Sequence, residues 1–430
     1  MKNFRLSTKL LMGAVVASSL ALSITACSDD DDDDEPAIPI VDPEEQTTIF
    51  ITSDVTWAGD QIHYLDKRTV VTNGATLTIG AGAIIKGAAG SEADAKPLII
   101  AKGAKIMARG TAAKPIIFTA EADNIQIGQI TGTSLGALDR GLWAGLIILG
   151  DAPTSPKAGA TDRVEGIPAS VAEGIYGGSN PNDNSGVLEY VSIRHGGVEL
   201  VPGGGNEING LTLGGVGDGT TINHIEVVAN LDDGIEWFGG SVNTANALVA
   251  YQGDDAFDID QAYSGTITNI IYIAGKDGDH ALEIDGPEGA DNPNGKFTIK
   301  GGALRGERTS PKGEYVDFRS NAIGTVEDLY FFDFKPDADV ELDADDDDKD
   351  QTVSMNYRDG DLVMRNCVFN TTVTLAEISA DKANPTLTGF DFDTEFANDG
   401  NTIGTSATNF DKSQFVGWTW ADANNLLNNF

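Results

Sequence analysis

Between Ile222 and Arg319 the chain repeats one short pattern of apolar and acidic positions four times. Asp232-Asp233-Gly234-Ile235-Glu236-Trp237 overlays Asp254-Asp255-Ala256-Phe257-Asp258-Ile259-Asp260, then Asp279-His280-Ala281-Leu282-Glu283-Ile284-Asp285, then Glu314-Tyr315-Val316-Asp317-Phe318-Arg319. Each copy reads turn, apolar, acid, apolar. A period of two predicts strands in which Ile235, Phe257, Leu282 and Val316 share one face and Glu236, Asp258, Glu283 and Asp317 the other. A second apolar register, centred on Ile225, Leu248, Ile270, Leu329 and Cys367, runs between the copies, with its tightest spacings at 23 and 22 residues. Repeats of that length carrying two or more short strands predict a solenoid whose coils bury their apolar faces against one another, a parallel β-helix. The gaps of 59 and 38 residues after Ile270 and Leu329 read as coils with inserted loops. Since neighbouring strands lie about 4.8 Å apart, the four acids stack into a carboxylate ladder on the outer face.

The same strand and turn chemistry runs upstream. Val70 to Gly87 reads strand, Asn73-Gly74 turn, strand, glycine-rich corner, strand, and Leu98 to Thr119 repeats that design. Thr47 to Trp57 and Ile62 to Tyr64 read as a cap over the first coil, and Phe415 to Trp420 as a short C-terminal cap, since an open solenoid end exposes both core and strand edges. Gly110-Thr111, Lys114-Pro115 and Ile116-Ile117-Phe118-Thr119 are followed by Gly141-Leu142-Trp143-Ala144-Gly145-Leu146-Ile147-Ile148-Leu149-Gly150. Further on come Glu165-Gly166-Ile167-Pro168, Leu188 to Gly197, Asn206 to Leu213 and Asp232 to Gly240. These motifs, from Val70 to Trp420, resemble a family of secreted right-handed parallel β-helix proteins of Bacteroidota and some other marine or gut bacteria. The resemblance implies an all-β, right-handed single solenoid and carries no established activity.

The first 26 residues read as a secretory signal: Lys2, Arg5 and Lys9 precede a short apolar core from Leu10 to Ile24. Ile24-Thr25-Ala26-Cys27 resembles the bacterial lipobox, which implies a lipidated Cys27 anchoring the protein to a membrane. Ser28 and the acids from Asp29 to Glu35 form a self-repelling tether, and the Ser-Asp run resembles the export signal of outer-membrane lipoproteins that face the cell exterior. The expected organisation is therefore signal 1–26, lipidated tether 27–46 and β-helix domain 47–430.

Charge narrows the partners. The formal net charge is −38, and removal of Lys2, Arg5 and Lys9 with the signal takes it to −41. That balance excludes nucleic acid as a direct partner. Cys367 is the one cysteine left after Cys27, and its place in the apolar register makes it a small core residue.

The candidate chemistry lies on the acidic ledge. Asp232, Asp233, Asp254, Asp255 and Asp279 occupy corners before the ladder strands; Glu236, Asp258, Glu283 and Asp317 form the ladder; Asp260 and Asp285 lie two residues beyond it. Carboxylates packed this closely repel unless a cation intervenes, and Ca²⁺, with six to eight oxygen ligands, suits them. Two kinds of function follow. One is a surface protein binding carbohydrate or another surface component, for which Phe238 and Tyr263 are the outward aromatic platforms. The other is a polysaccharide lyase or glycoside hydrolase acting on acidic glycans, which needs a cleft with a basic residue or proton donor near Asp254, Asp258 and Asp317. Arg319 is the cation expected on the ladder, as an ion-pair partner. Gln252-Gly253-Asp254-Asp255 is similar to a segment of β-helix polygalacturonases, although Arg194-His195-Gly196, the nearest match to their histidine segment, precedes it where theirs follows. A passive surface scaffold is the third reading. The run Asp343 to Asp350 lacks the glycine and glutamate that an EF-hand loop requires, and the four histidines suggest no zinc cluster.

Overall fold

A computed structural model describes residues 48–91, 94–164, 167–198, 208–343, 351–383, 385–406 and 409–430, all within one compact unit, Asp42–Phe430. Cys27, its acidic tether and residues 344–350 of the second acidic run lie outside the described residues.

The chain winds as a right-handed parallel β-helix. Among the described residues one sheet stacks eleven strands in chain order, from Thr48–Ile51 through Leu146–Leu149, Leu211–Gly214, Ile235–Phe238, Phe257–Asp260, His280–Ile284, Glu314–Phe318 and Val340–Leu342 to Ser379–Asp381. Its register places Thr212, Glu236, Asp258, Glu283, Asp317 and Glu341 in one column. Leu211, Ile235, Phe257, Leu282, Val316 and Val340 line the core behind them, each fully buried. The acid ladder is thus real, and one rung longer than the four acids read from the repeats.

The second sheet carries longer strands, such as Gly186–Arg194, Thr221–Val228, Thr244–Ala250, Thr266–Ile273, Phe297–Arg305 and Gly324–Phe332. Each bends at one left-handed residue per coil: Tyr190, His224, Asn246, Asn269, Gly301 and Asp328, with φ between 51° and 70°. Asn tolerates that region because its short polar side chain bonds locally, and here Asn246 Nδ2 donates to Asn223 Oδ1 at 2.8 Å and Asn269 Nδ2 to Asn246 Oδ1 at 2.6 Å. The bend turns one strand into two walls of the coil.

This sheet corrects the second register twice. Ala247 pairs with Ile225 on one side and Ile270 on the other, while Leu248 pairs with Glu226 and Ile271 on the outer side. The interval from Ile270 to Leu329 holds a complete coil, Phe297–Arg305, in which Gly302 stands between them. A Cβ on Gly302 would lie 2.6 Å from both Ile270 Cγ1 and Ile270 O, so the position that should have carried the apolar repeat has no room for a side chain.

Both cap expectations change. Thr48–Ile51, Val55–Trp57 and Ile62–Leu65 pair in parallel with Arg68–Val71, Thr76–Ile79 and Ile84–Gly87; they are the first coil, because their alternation is that of every later coil. Phe415, Trp418, Trp420 and Leu427 lie along the flank, over the outward apolar residues Val228, Leu248, Ile271 and Ile273. The far end is closed instead by helices Thr352–Asp359, Leu375–Ile378 and Phe392–Asn398, whose Val353, Ile378, Phe392 and Phe396 enter the main core. Cys367 is buried in that core as expected. No helix among the described residues is long and apolar enough to cross a membrane.

Candidate functional site

Two columns of polar side chains run up the ladder sheet. The ladder proper stands one residue after each core position; a corner column stands two residues before it. Parallel register brings Asn209, Asp233, Asp255, His280 and Glu314 into that corner column. Backbone donors tie it together: Asp255 N donates to Asp233 Oδ1 at 2.8 Å and His280 N to Asp255 Oδ1 at 2.6 Å. Corner aspartates therefore satisfy backbone N–H groups of the next coil, as turn chemistry favours.

The ladder acids are not solvated. Glu236, Asp258 and Asp317 are each less than a tenth exposed. Burying carboxylates raises the free energy of the charged form, and the structure answers this differently at each level.

At the upper coils the protein supplies its own cations. His280 Nδ1 lies 2.9 Å from Asp255 Oδ1 and 3.4 Å from Glu283 Oε2, and its Nε2 lies 4.0 Å from Asp317 Oδ2. Burial disfavours the imidazolium, but these carboxylates outweigh it and raise its pKa to about 12. Arg319 pairs with Glu283 and stands 3.8 Å from Asp285, the ion-pair role expected of it. Burial pushes the Glu283 carboxyl up, and His280 and Arg319 together bring it down to about 2. Asp317 keeps a carboxyl raised to about 8 by burial, tempered by His280. Lys312 lies 3.1 Å from Asp279 and 3.7 Å from Asp254, and Arg140 lies 3.1 Å from Asp277. Arg319 is therefore not the only cation on this face. His280 was discoverable, because the repeat overlay sets it on Asp255, one histidine among aspartates.

At the lower coils the surroundings of Asp233 and Asp258 are acidic. Burial raises both carboxyls well above the usual range, and Glu236 raises them further. Ligating oxygens of Asp233, Glu236 and Asp258 lie within 4.8 Å of one another, as do those of Asp232, Asp233 and Asp254.

Ten of the eleven candidate acids thus divide, Asp260 standing apart. Asp255, Glu283 and Asp317 gather around His280; Asp254 and Asp279 are held by Lys312; Asp285 lies beside Arg319; Asp232, Asp233, Glu236 and Asp258 cluster below. Asp260, Glu283, Asp285 and Asp317 line a groove of about 790 Å³ with His280, Arg319, Lys157, Glu288, Ser320, Asn321 and Asp343. A second hollow of about 420 Å³ shares Lys157, Asp260 and Glu288 with it and adds Arg163, Tyr176 and Phe238.

The aromatic platforms are overturned. Tyr263 is 1 % exposed, packs on Trp237 and donates to the Val242 carbonyl at 2.5 Å. Phe238 lies under Tyr176, carried by the hairpin of Asp162–Arg163 with Ile175–Tyr176. Tyr263 enters the main core of the solenoid, while Phe238 does face outward and is covered by the inserted hairpin. Arg194 and His195 do not approach Asp254 and Asp255 in the sheet order. Arg194 belongs to the second sheet, buried 3.6 Å from Glu226, and His195 bonds the Asp139 carbonyl. The polygalacturonase-like constellation is not assembled.

Fold and site together define a right-handed parallel β-helix with a polar, predominantly acidic groove along one sheet. The chain matches the family model of the pectate-lyase-like β-helix domain over residues 49–422, and it belongs to that family. No curated protein and no solved structure matches it.

Proposed function

We propose that this protein binds an acidic polysaccharide in the groove beside the ladder, with Ca²⁺ on the ledge bridging ligand and protein carboxylates. The observation that carries this reading is the groove's lining: Asp260, Glu283, Asp285, Asp317 and Asp343 interleaved with Lys157, His280 and Arg319, with no Phe, Tyr or Trp among the lining residues. Neutral sugars are held largely by stacking on aromatic faces, which this groove does not offer, whereas uronates present carboxylates that cations and cationic side chains recognise. Membership of a pectate-lyase-like family supports a carbohydrate ligand. A lipidated Cys27 would hold the domain on the outer membrane, facing the cell exterior, where such polymers are met.

Hydrolysis is the second reading, favoured by one observation. Glu283 and Asp317 are register neighbours whose carboxyls are driven apart, one to about 2 and the other to about 8. Such a split pairs an ionised carboxylate with a proton donor. Affinity electrophoresis in gels carrying polygalacturonate, alginate or neutral mannan tests the binding: retardation in the two acidic gels, dependent on Ca²⁺, is expected, and equal retardation in mannan refutes it. New reducing ends from polygalacturonate would establish hydrolysis. Neither binding nor cleavage would leave a passive scaffold.

A further inference from the structure

The first coil presents strand edges that lack the usual protection. Thr48–Ile51, Val55–Trp57 and Ile62–Leu65 each pair with the second coil alone, so among the described residues no strand lies along their outer edges. Open edges recruit other strands, and proteins blunt them with charged residues, proline, bulges or covering segments. These three strands contain no Lys, Arg, Asp, Glu or Pro.

Apolar side chains reinforce the edge. Ile49, Phe50 and Tyr64 are 42 %, 41 % and 58 % exposed, three of the seven large apolar side chains left open among the described residues. Register explains their exposure. Ile49 and Ile51 continue the row of Thr69 and Val71, and Phe50 continues the outward row of Val70 and Ile99. Val164, Ile167 and Val171 pack on Val70 and Ile99, and Phe50 stands one coil beyond them.

Charge decides what can meet this end. Asp54 Oδ1 accepts from the Thr76 nitrogen at 2.8 Å and Asp60 pairs with Lys114 at 2.5 Å, so both acids are engaged by later coils. Residues 48–121 carry eight Lys and Arg against six Asp and Glu, +2 net, whereas residues 122–430 carry 17 against 50, −33 net. Two copies repel along the acidic body. At the first coils they can approach without that repulsion.

We propose that two copies of this chain join here, first coil against first coil, about a two-fold axis perpendicular to the solenoid. Such an axis reverses the second copy, so the strands that meet across the joint run antiparallel and continue the hydrogen-bonded sheets from one copy into the next. Ile49, Phe50 and Tyr64 of both copies then leave water. The dimer stands independently of the groove reading, but it sets two grooves on one particle, which raises avidity for a polymer long enough to reach both.

Sedimentation equilibrium of the full-length chain tests the joint. It is compared with a double variant, Phe50→Lys with Tyr64→Lys, which charges the edge at exposed side chains, and with Leu138→Lys, an exposed apolar position outside the first coil. All three share residues 1–47, so association through those residues would be common to them. The parent and Leu138→Lys should dimerise; the double variant should keep the parent's circular dichroism and raise the dimer dissociation constant at least tenfold. Added salt should tighten the parent dimer, because ten acids between Asp29 and Glu45 precede this end in each copy. A measurement on the parent alone stands beside these, in case the double variant misfolds: amide exchange in Thr48–Ile51 and Ile62–Leu65 should slow as protein concentration rises, and that of Ile235 should not change. A monomeric parent, a double variant that dimerises as the parent does, or edge amides indifferent to concentration overturns the proposal. A monomeric parent that binds phosphatidylglycerol vesicles more tightly than the double variant would also overturn it, and would give this end to a lipid surface.

Discussion

Asp255 Oδ1 accepts two hydrogen bonds from one residue of the next coil, from His280 Nδ1 at 2.9 Å and from the His280 backbone nitrogen at 2.6 Å. The contact fixes the imidazolium where Glu283 and Asp317 also reach it, so a single histidine neutralises the middle of the ladder.

His280 should remain charged through neutral pH. An ordinary imidazole titrates near pH 6.5; here the folded value is about 12. A group raised on folding stabilises fully below its unfolded value and loses that contribution as pH rises through the folded one. Glu283, lowered to about 2, stabilises fully above its unfolded value of 4.5 and loses this as pH falls through about 2. The stability gap between the parent and His280→Gln should therefore be widest between about pH 4.5 and 6.5, at about 3 kcal/mol, and narrow at alkaline pH. Denaturant melts across pH measure it. NMR titration of the ring provides a second check, with no transition expected near pH 6.5.

The flank segment should detach before the solenoid melts. Trp418 is fully buried, donates to the Gln414 carbonyl at 2.8 Å and packs edge-on against Tyr190. Beneath it, Glu226 accepts from the backbone nitrogens of Trp420 and Ala421 at 2.9 Å. Trp418→Ala should cost about 3–5 kcal/mol locally. Hydrogen exchange should then quicken at the Trp420 and Ala421 amides and remain slow at Ile235 and Phe257.

Gly302 should tolerate no side chain. With a Cβ at 2.6 Å from the Ile270 carbonyl oxygen, Gly302→Ala must shift backbone rather than a flexible side-chain end. A loss of about 2 kcal/mol or more is expected, visible as a lower thermal midpoint with the Ca²⁺ response unchanged.

The ladder was legible because its acids recur one residue after a core position, and neither turn length nor loop insertion alters that offset. Other parts of the fold were hidden by chemistry that a periodic reading misassigns. Leu248 looked like a core residue because it is apolar, but it faces outward under the Trp418 segment. The coil at Phe297–Arg305 vanished because close packing of Ile270 against Leu329 leaves room only for Gly302. Phe238 alternates as an outward residue should, and only an inserted hairpin, placed by no local signal, buries it, whereas Tyr263 follows the end of its strand and turns into the core. At the site the acids could be found by type; which of them gather around His280 and which around Lys312 depends on register across coils.

The central claim is that the acidic groove takes an acidic polymer through a divalent cation. Isothermal titration of polygalacturonate into the full-length chain tests it most directly, in Ca²⁺ and again in EDTA, for the parent and for Asp285→Asn, a residue of the groove lining. Saturable binding by the parent in Ca²⁺, abolished by EDTA and at least tenfold weaker in the variant, is the result expected. Binding of equal strength in EDTA, or none in Ca²⁺, would contradict it.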